Sequence, residues 1–139
     1  GYPFLDKGVE IIIDSENVRA RDESAAKFFD TWINIEDPEY PYPERCYFHD
    51  VKFGSDDICQ YILFNRKLNI GVKVKYKHDD FPYFVQWKML GKGEYVLGLE
   101  PLNSPLVGPR IGEKGCIAPV LTAGESKEYV YSFEFIDKL

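Results

Sequence analysis

The chain has 139 residues, which fits one domain, and 45% of them are hydrophobic, which argues for a globular body rather than a disordered chain. Its 17 basic and 23 acidic residues give a net charge of -6, and no basic block is present. Because phosphate binding needs a cationic surface, this charge argues against a nucleic-acid partner. No apolar run approaches the roughly 20 residues of a membrane span, so we expect no membrane partner.

Short runs rich in β-branched and aromatic residues dominate the sequence and predict strands. Turn residues separate these runs, and the best helical candidate, residues 22–30, has room for only one or two turns. Many short strands with little helix predict an all-β fold, an antiparallel β-sandwich, as a single domain over residues 1–139. In chain order, the predicted strands are 9–13, 46–51, 58–65, 70–77, 83–88, 95–99, 116–120 and 128–135.

Two of these strands show a regular alternation. The segment 72–76 (VKVKY) places apolar residues on one face and lysines on the other. The segment 128–135 (EYVYSFEF) places four aromatic side chains on one side. Between the helical candidate and the next strand, the segment 37–44 has three prolines, which predict an extended or turn-rich connection.

The three cysteines, Cys46, Cys59 and Cys116, are widely spaced and odd in number. This pattern fits neither a disulfide framework nor a metal-binding pair. We therefore expect reduced, buried thiols in a cytoplasmic protein.

The sequence contains no recognised metal-binding or cofactor-binding motif. His49 and His78 are each followed by aspartate, but neither places two ligands at a recognised metal-binding spacing, and we expect no metal. The segment 91–93 (GKG) is typical of a hairpin turn and lacks the rest of any phosphate-binding or dinucleotide motif. We expect no cofactor.

Glu100 is a candidate catalytic carboxylate. It follows Gly98, whose small size allows close approach of a ligand, and it precedes Pro101, which restricts Glu100 to an extended backbone. A carboxylate held in this way can act as a general base. The alternative is an ordinary solvated acid at the end of a strand.

The order of several segments resembles the C-terminal half of aldose 1-epimerase-like (galactose mutarotase-like) proteins, and more closely an uncharacterised bacterial branch of that superfamily. In that branch a tryptophan strand, a short glycine turn, a Gly-Leu-Glu-Pro strand and a Pro-Gly-Glu turn follow one another. Residues 19–22 (RARD) and 44–49 (ERCYFH) also resemble segments of the branch. In this chain the tryptophan strand corresponds to 86–88, the glycine turn to 91–93, the Gly-Leu-Glu-Pro strand to 98–101 and the last turn to 124–125.

The resemblance implies a β-supersandwich that binds a small-molecule sugar and interconverts its anomers by acid–base ring opening, without metal or cofactor. By motif, Glu100 falls on the glutamate base. The partner histidine of these relatives lies upstream of a segment like 1–5, so we expect this chain to be the C-terminal fragment of a longer protein, inactive without that acid. The resemblance and local chemistry together suggest six sugar-contacting candidates, each with a surface or core role as the alternative: Arg21, Glu44, His49, Trp87, Asn103 and Arg110.

Two other functions stay open at this stage. A carbohydrate-binding or sensing domain on the same fold would carry no chemistry. A structural role, with this chain forming a homodimer through its aromatic and edge strands, is also compatible with the sequence. The identity of the sugar is not specified by any residue pattern.

Overall fold

The computed structural model describes residues 1–109 and 113–139, and the secondary structure within them is almost entirely β. A single α-helical turn, α1 (Glu23–Ala26), begins at Asp22, whose side chain caps the Ala25 amide, and a 3-10 turn (Phe29–Thr31) follows it. The strands in chain order are β1 (Glu10–Ile13), β2 (Ser15–Ala20), β3 (Arg45–Val51), β4 (Ile58–Asn65), β5 (Ile70–Lys77), β6 (Tyr83–Gly91), β7 (Glu94–Leu102) and β8 (Tyr131–Ile136).

The strands form two antiparallel four-stranded sheets. The first sheet has the order β1-β4-β5-β8 and the second the order β2-β3-β6-β7. The alternation predicted for 72–76 is confirmed, because Val74 and Tyr76 are buried while Lys75 is exposed. The expected antiparallel β-sandwich is therefore the observed fold.

Aromatic side chains join the two sheets. The rings of Tyr61 on β4 and Phe84 on β6 meet edge to face, 5.4 Å between centroids, and the Tyr61 hydroxyl donates to the Leu99 carbonyl on β7 at 3.1 Å. The segment after α1 packs on the same face of the second sheet, where the Tyr47 hydroxyl donates to the Phe28 carbonyl. We call this face, which carries Tyr47 and Phe84, the core face of the second sheet.

Lys88 on β6 fastens that segment to the core face. Its side chain is fully buried, and the ammonium donates to the carbonyls of Thr31 at 3.0 Å and Asn34 at 2.6 Å and to the Glu36 carboxylate at 3.1 Å. Burial lowers the pKa of Lys88. The contacts occupy all three ammonium protons, which is the condition under which a buried lysine is tolerated.

Apart from shifted ends, such as β6 continuing to Gly91 and β8 beginning at Tyr131, the observed strands differ from the predicted ones as follows. β2 was not predicted, because its sequence SENVRA is polar, as suits a strand at the sheet edge with one paired neighbour. The predicted strand 116–120 is wrong: it has no strand partner in the described chain, and Pro119 lacks the amide a ladder needs. β7 continues through Pro101, which an edge strand accommodates, so Glu100 lies inside a strand and not at its end.

The aromatic residues of β8 lie at the open end of the first sheet. Tyr131 and Phe133 pair with Tyr76 and Val74, whose side chains are buried, so they point to the same side of the sheet. Phe133 is nevertheless 64% exposed and Phe135 76% exposed. Tyr131, in contrast, reaches the second sheet, where its hydroxyl donates to the Pro101 carbonyl on β7 at 3.3 Å. The predicted one-sided aromatic pattern holds, but Phe133 and Phe135 are not core side chains.

Candidate functional site

The candidate site lies on the face of the second sheet that points away from the first sheet. Side chains of directly paired residues share a face, and successive residues along a strand alternate between faces. The register therefore assigns a continuous set of residues to this side, which we call the outer face: Arg19, Arg21, Glu44, Cys46, Phe48, Val85, Trp87, Gly98 and Glu100.

Glu100 is half-buried on the outer face, in the row of Val85 and Phe48. Its side chain lies back over Gly98. A Cβ at position 98 would stand 3.1 Å from the Glu100 Cδ and closer still to Oε1, so only glycine leaves the carboxylate this place. Gly98 pairs with Trp87, and the carboxylate is thereby directed toward the row of the tryptophan.

Beside Glu100, three polar side chains form a hydrogen-bonded chain. The guanidinium of Arg21 contacts the Asp22 carboxylate at 2.8 Å and the Glu44 carboxylate at 2.7 Å. Both carboxylates raise the pKa of Arg21, and Asp22 has the larger effect. Glu44 also accepts a hydrogen bond from Trp87, and the pKa of Glu44 is lowered, chiefly by Arg21 and then by Trp87. The indole is therefore fixed in orientation while its face stays half-exposed.

Cys46 lies in the same row as Trp87 and Gly98, beneath these polar groups. It is 1% exposed, and burial raises its pKa. The predicted burial is confirmed for Cys46 and Cys59 but is wrong for Cys116, which is only half-buried; the three thiols are free. Cys46 thus acts as apolar support for the outer face.

His49 lies on the opposite side of the sheet from Glu100. Its ring is on the core face, where Nε2 contacts Gln86 Oε1 at 3.1 Å and Nδ1 contacts Ser15 Oγ at 3.1 Å. The rings of Trp32 and Phe84 enclose it, and burial lowers its pKa to about 4. The structure therefore does not bring His49 together with the other candidate residues. Neither Gln86 nor Ser15 carried a sequence signal for this contact.

The last two candidates follow β7. Asn103 donates from Nδ2 to the Tyr129 hydroxyl at 3.1 Å, which ties the end of β7 to the segment before β8. Arg110 lies outside the described residues. Of the six predicted sugar-contacting residues, the structure thus brings Arg21, Glu44 and Trp87 together on the face that carries Glu100.

One group of potential metal ligands lies away from the outer face. Asp57, His78 and Asp79 offer ligand atoms within 4.8 Å of one another, and His78 Nδ1 stands 4.0 Å from a carboxylate oxygen of each aspartate. The sequence analysis missed Asp57, which the β4–β5 hairpin brings back to the histidine. Exposed acidic groups cluster in this way without an ion as well, so the arrangement alone defines no metal site.

The two antiparallel sheets define the class of protein, an antiparallel β-sandwich. The chain is similar to the crystal structure of a candidate aldose 1-epimerase from Klebsiella pneumoniae subsp. pneumoniae MGH 78578, with a TM-score of 0.68 and 18% sequence identity. The similarity covers 73% of this chain and 27% of that one. It confirms the expected resemblance at the level of the fold, and this chain spans only about a quarter of the length of the relative.

Sequence comparison places the chain more specifically. The family described as "Domain of unknown function (DUF4432)" matches residues 1–135, and the chain belongs to it. No curated protein matched the sequence. Within the described residues, no helix has the length and apolar character needed to cross a membrane.

Proposed function

We propose that the outer face binds a sugar and that Glu100 is the base for anomer interconversion. The observation that carries this proposal is the placement of a half-exposed indole, a hydrogen-bonded Arg21–Glu44 pair and the Glu100 carboxylate on one sheet face. Sugar rings present an apolar C–H face and a rim of hydroxyls. An oriented aromatic ring suits the first, and fixed carboxylate and guanidinium groups suit the second.

The reaction needs two proton transfers. Glu100 takes the proton of the anomeric hydroxyl, the O1 electron pair forms the C1 carbonyl, and the bond from C1 to the ring oxygen breaks. An acid delivers a proton to the ring oxygen, C1–C2 rotates, and the reverse steps close the ring on the other face. Protons and electrons balance without a metal or a redox cofactor.

The charges of the outer face favour an uncharged sugar. Arg19 is paired with Asp50 at 2.8 Å, and Arg21 is paired with Asp22 and Glu44. Among the described residues of this face, both guanidinium groups are therefore already matched by carboxylates. A phosphate or carboxylate on the sugar would have to displace one of these partners and would face Glu100 as well.

The second candidate is a sugar-binding domain without chemistry, and the position of the histidines supports it. His49 is enclosed on the core face, and His78 follows β5 beside Asp57. Neither of them stands on the outer face to serve as the acid that ring opening requires. Under this alternative, Glu100 accepts a hydrogen bond from a sugar hydroxyl and transfers no proton.

The two candidates are separated by measuring sugar binding and anomer exchange together in the full-length protein. Saturation-transfer NMR gives the exchange rate between α and β anomers, and titration gives the dissociation constant. We expect Glu100→Gln to reduce the exchange rate at least about 100-fold, the usual contribution of a general base, while binding weakens much less. Glu128→Gln, at an exposed position before β8 of the other sheet, is the matched control. Exchange unchanged in Glu100→Gln would rule out the base, and binding without exchange in the native protein would favour the second candidate.

A further inference from the structure

An apolar pocket lies on the outer face next to the row of Glu100. Its volume is about 200 Å³. Side chains of the second sheet form its floor and the loop after β7 forms its opposite wall. Its apolar lining includes Phe48, Tyr83, Val85, Pro105, Leu106 and Val107, and the polar residues Arg19, His49 and Asp50 also line it.

The polar groups at the rim of this pocket are engaged with one another. Arg19 Nη1 donates to Asp50 Oδ2 at 2.8 Å, and Asn17 Nδ2 donates to the same oxygen at 3.2 Å. Arg19 is the main cause of the lowered pKa of Asp50. A hydroxyl group placed against the apolar side chains of the pocket would give up water for them, whereas an apolar group would bury its surface there without that cost.

Phe48, Val85 and Glu100 pair directly with one another and form one row across the sheet. The pocket lies on one side of this row, toward Tyr83, which pairs with Leu102. The carboxylate itself lies back over Gly98, on the other side of that row. Residues two apart along a strand are separated by roughly 7 Å, which is comparable to the length of a hexopyranose from the anomeric oxygen to C6.

From this placement we infer that the site selects 6-deoxyhexoses, sugars whose C5 carries a methyl group in place of hydroxymethyl. The inference rests on the proposed function, in which the anomeric hydroxyl contacts Glu100. A ring held there directs its C5–C6 edge into the pocket between Val85 and the loop residue Leu106. The methyl group is buried against apolar walls, whereas the 6-hydroxyl of the parent hexose loses its water without gaining a partner.

The inference is tested with pairs of sugars that differ by one oxygen atom. Calorimetric titration of the full-length protein compares 6-deoxygalactose with galactose and 6-deoxymannose with mannose, each in the D and L series. We expect the 6-deoxy member of at least one pair to bind about fivefold or more tightly than its hexose, as for a buried hydroxyl left without a partner.

A variant of the pocket wall locates the preference. Leu106→Asn supplies a hydrogen-bonding partner in the pocket and should bring the affinity ratio close to one, mainly by weakening the 6-deoxy sugar. Leu68→Asn is the matched control, because Leu68 is 42% exposed in the β4–β5 turn of the other sheet while Leu106 is 49% exposed. The control should keep the ratio of the native protein.

The outcomes distinguish this inference from the proposed function. Equal affinities within every pair would overturn the 6-deoxy preference and leave sugar binding by the outer face intact. A preference that Leu106→Asn does not change would also overturn it, because the pocket would then not be its origin. Failure of every sugar to bind would overturn the proposed function and this inference together.

Discussion

The burial of His49 makes a specific prediction about the pH dependence of stability. Burial lowers the pKa of His49 from 6.5 to about 4, while the hydrogen bond to Gln86 and the charge of Asp50 oppose this shift only in part. Between these pH values the unfolded chain binds a proton at His49 and the folded chain does not. Stability therefore rises with pH across this window, and it is lost as the pH falls from 6.5 towards 4.

The magnitude follows from the size of the shift. One pKa unit corresponds to about 1.4 kcal/mol, so a pKa change from 6.5 to about 4 lowers the free energy of unfolding by about 3 kcal/mol once the pH is below 4. Above pH 7 the imidazole is neutral in both states and contributes no slope. The carboxylates with lowered pKa values, such as Asp22 and Asp50, add their own loss at lower pH, below about 4.

Urea unfolding from pH 8 to pH 4.5 measures this contribution. His49→Gln keeps a polar side chain but cannot titrate, so its free energy of unfolding should lose the His49 slope between pH 6.5 and 4.5. His78→Gln removes the other histidine, which is half-buried outside the core, and should retain the slope. Parallel curves for the native chain and His49→Gln would refute the reasoning, because the imidazole would then not be held neutral in the core.

Substitutions at three further positions test separate parts of the structure. Gly98→Ala should reduce anomer exchange at least about tenfold, because the new methyl group displaces the Glu100 carboxylate. Its free energy of unfolding should change by less than about 1 kcal/mol. An anomer-exchange assay measures the first effect and urea unfolding the second. Lys88→Met should destabilise the chain by about 3 kcal/mol in urea unfolding, since the carbonyls of Thr31 and Asn34 lose this donor and the Glu36 carboxylate keeps only Arg45 among the described residues. Trp87→Phe should keep the dissociation constant for sugar within about threefold of the native value, whereas Trp87→Ala should weaken binding about tenfold. The reason is that the ring face, and not the hydrogen bond to Glu44, supplies most of the affinity. Calorimetric titration measures both dissociation constants.

The part of the site formed by one hairpin could be predicted from sequence. The two-residue loop between β6 and β7 contains Gly93 with φ +87, and such a loop fixes the register of the two strands. That register places Trp87 opposite Gly98 and Glu100 opposite Val85. Alternation along β7 then puts Glu100 on the same face as the tryptophan. Local patterns of this kind also located β4 and β5 to the residue.

The rest of the site depends on pairing between distant segments. β3 pairs with β6 across more than thirty residues, and a shift of this register by one residue would move His49 to the outer face and Cys46 to the core. No turn fixes that register, so the sequence could not separate His49 from the sugar-contacting candidates. The contacts of Arg21 likewise depend on β2, a polar edge strand that resembles a loop in its composition.

The central claim is that the outer face, and not the core face, contacts the sugar. Heteronuclear NMR titration of the isotope-labelled full-length protein tests it directly, because it reports each amide and indole N–H separately. We predict that the Trp87 indole and Gly98 amide signals shift with sugar concentration and give one dissociation constant, while the signals of the core-face residues Gln86 and Lys88 stay in place. Shifts confined to Gln86 and Lys88, or an outer face that does not respond at saturating sugar, would contradict the account.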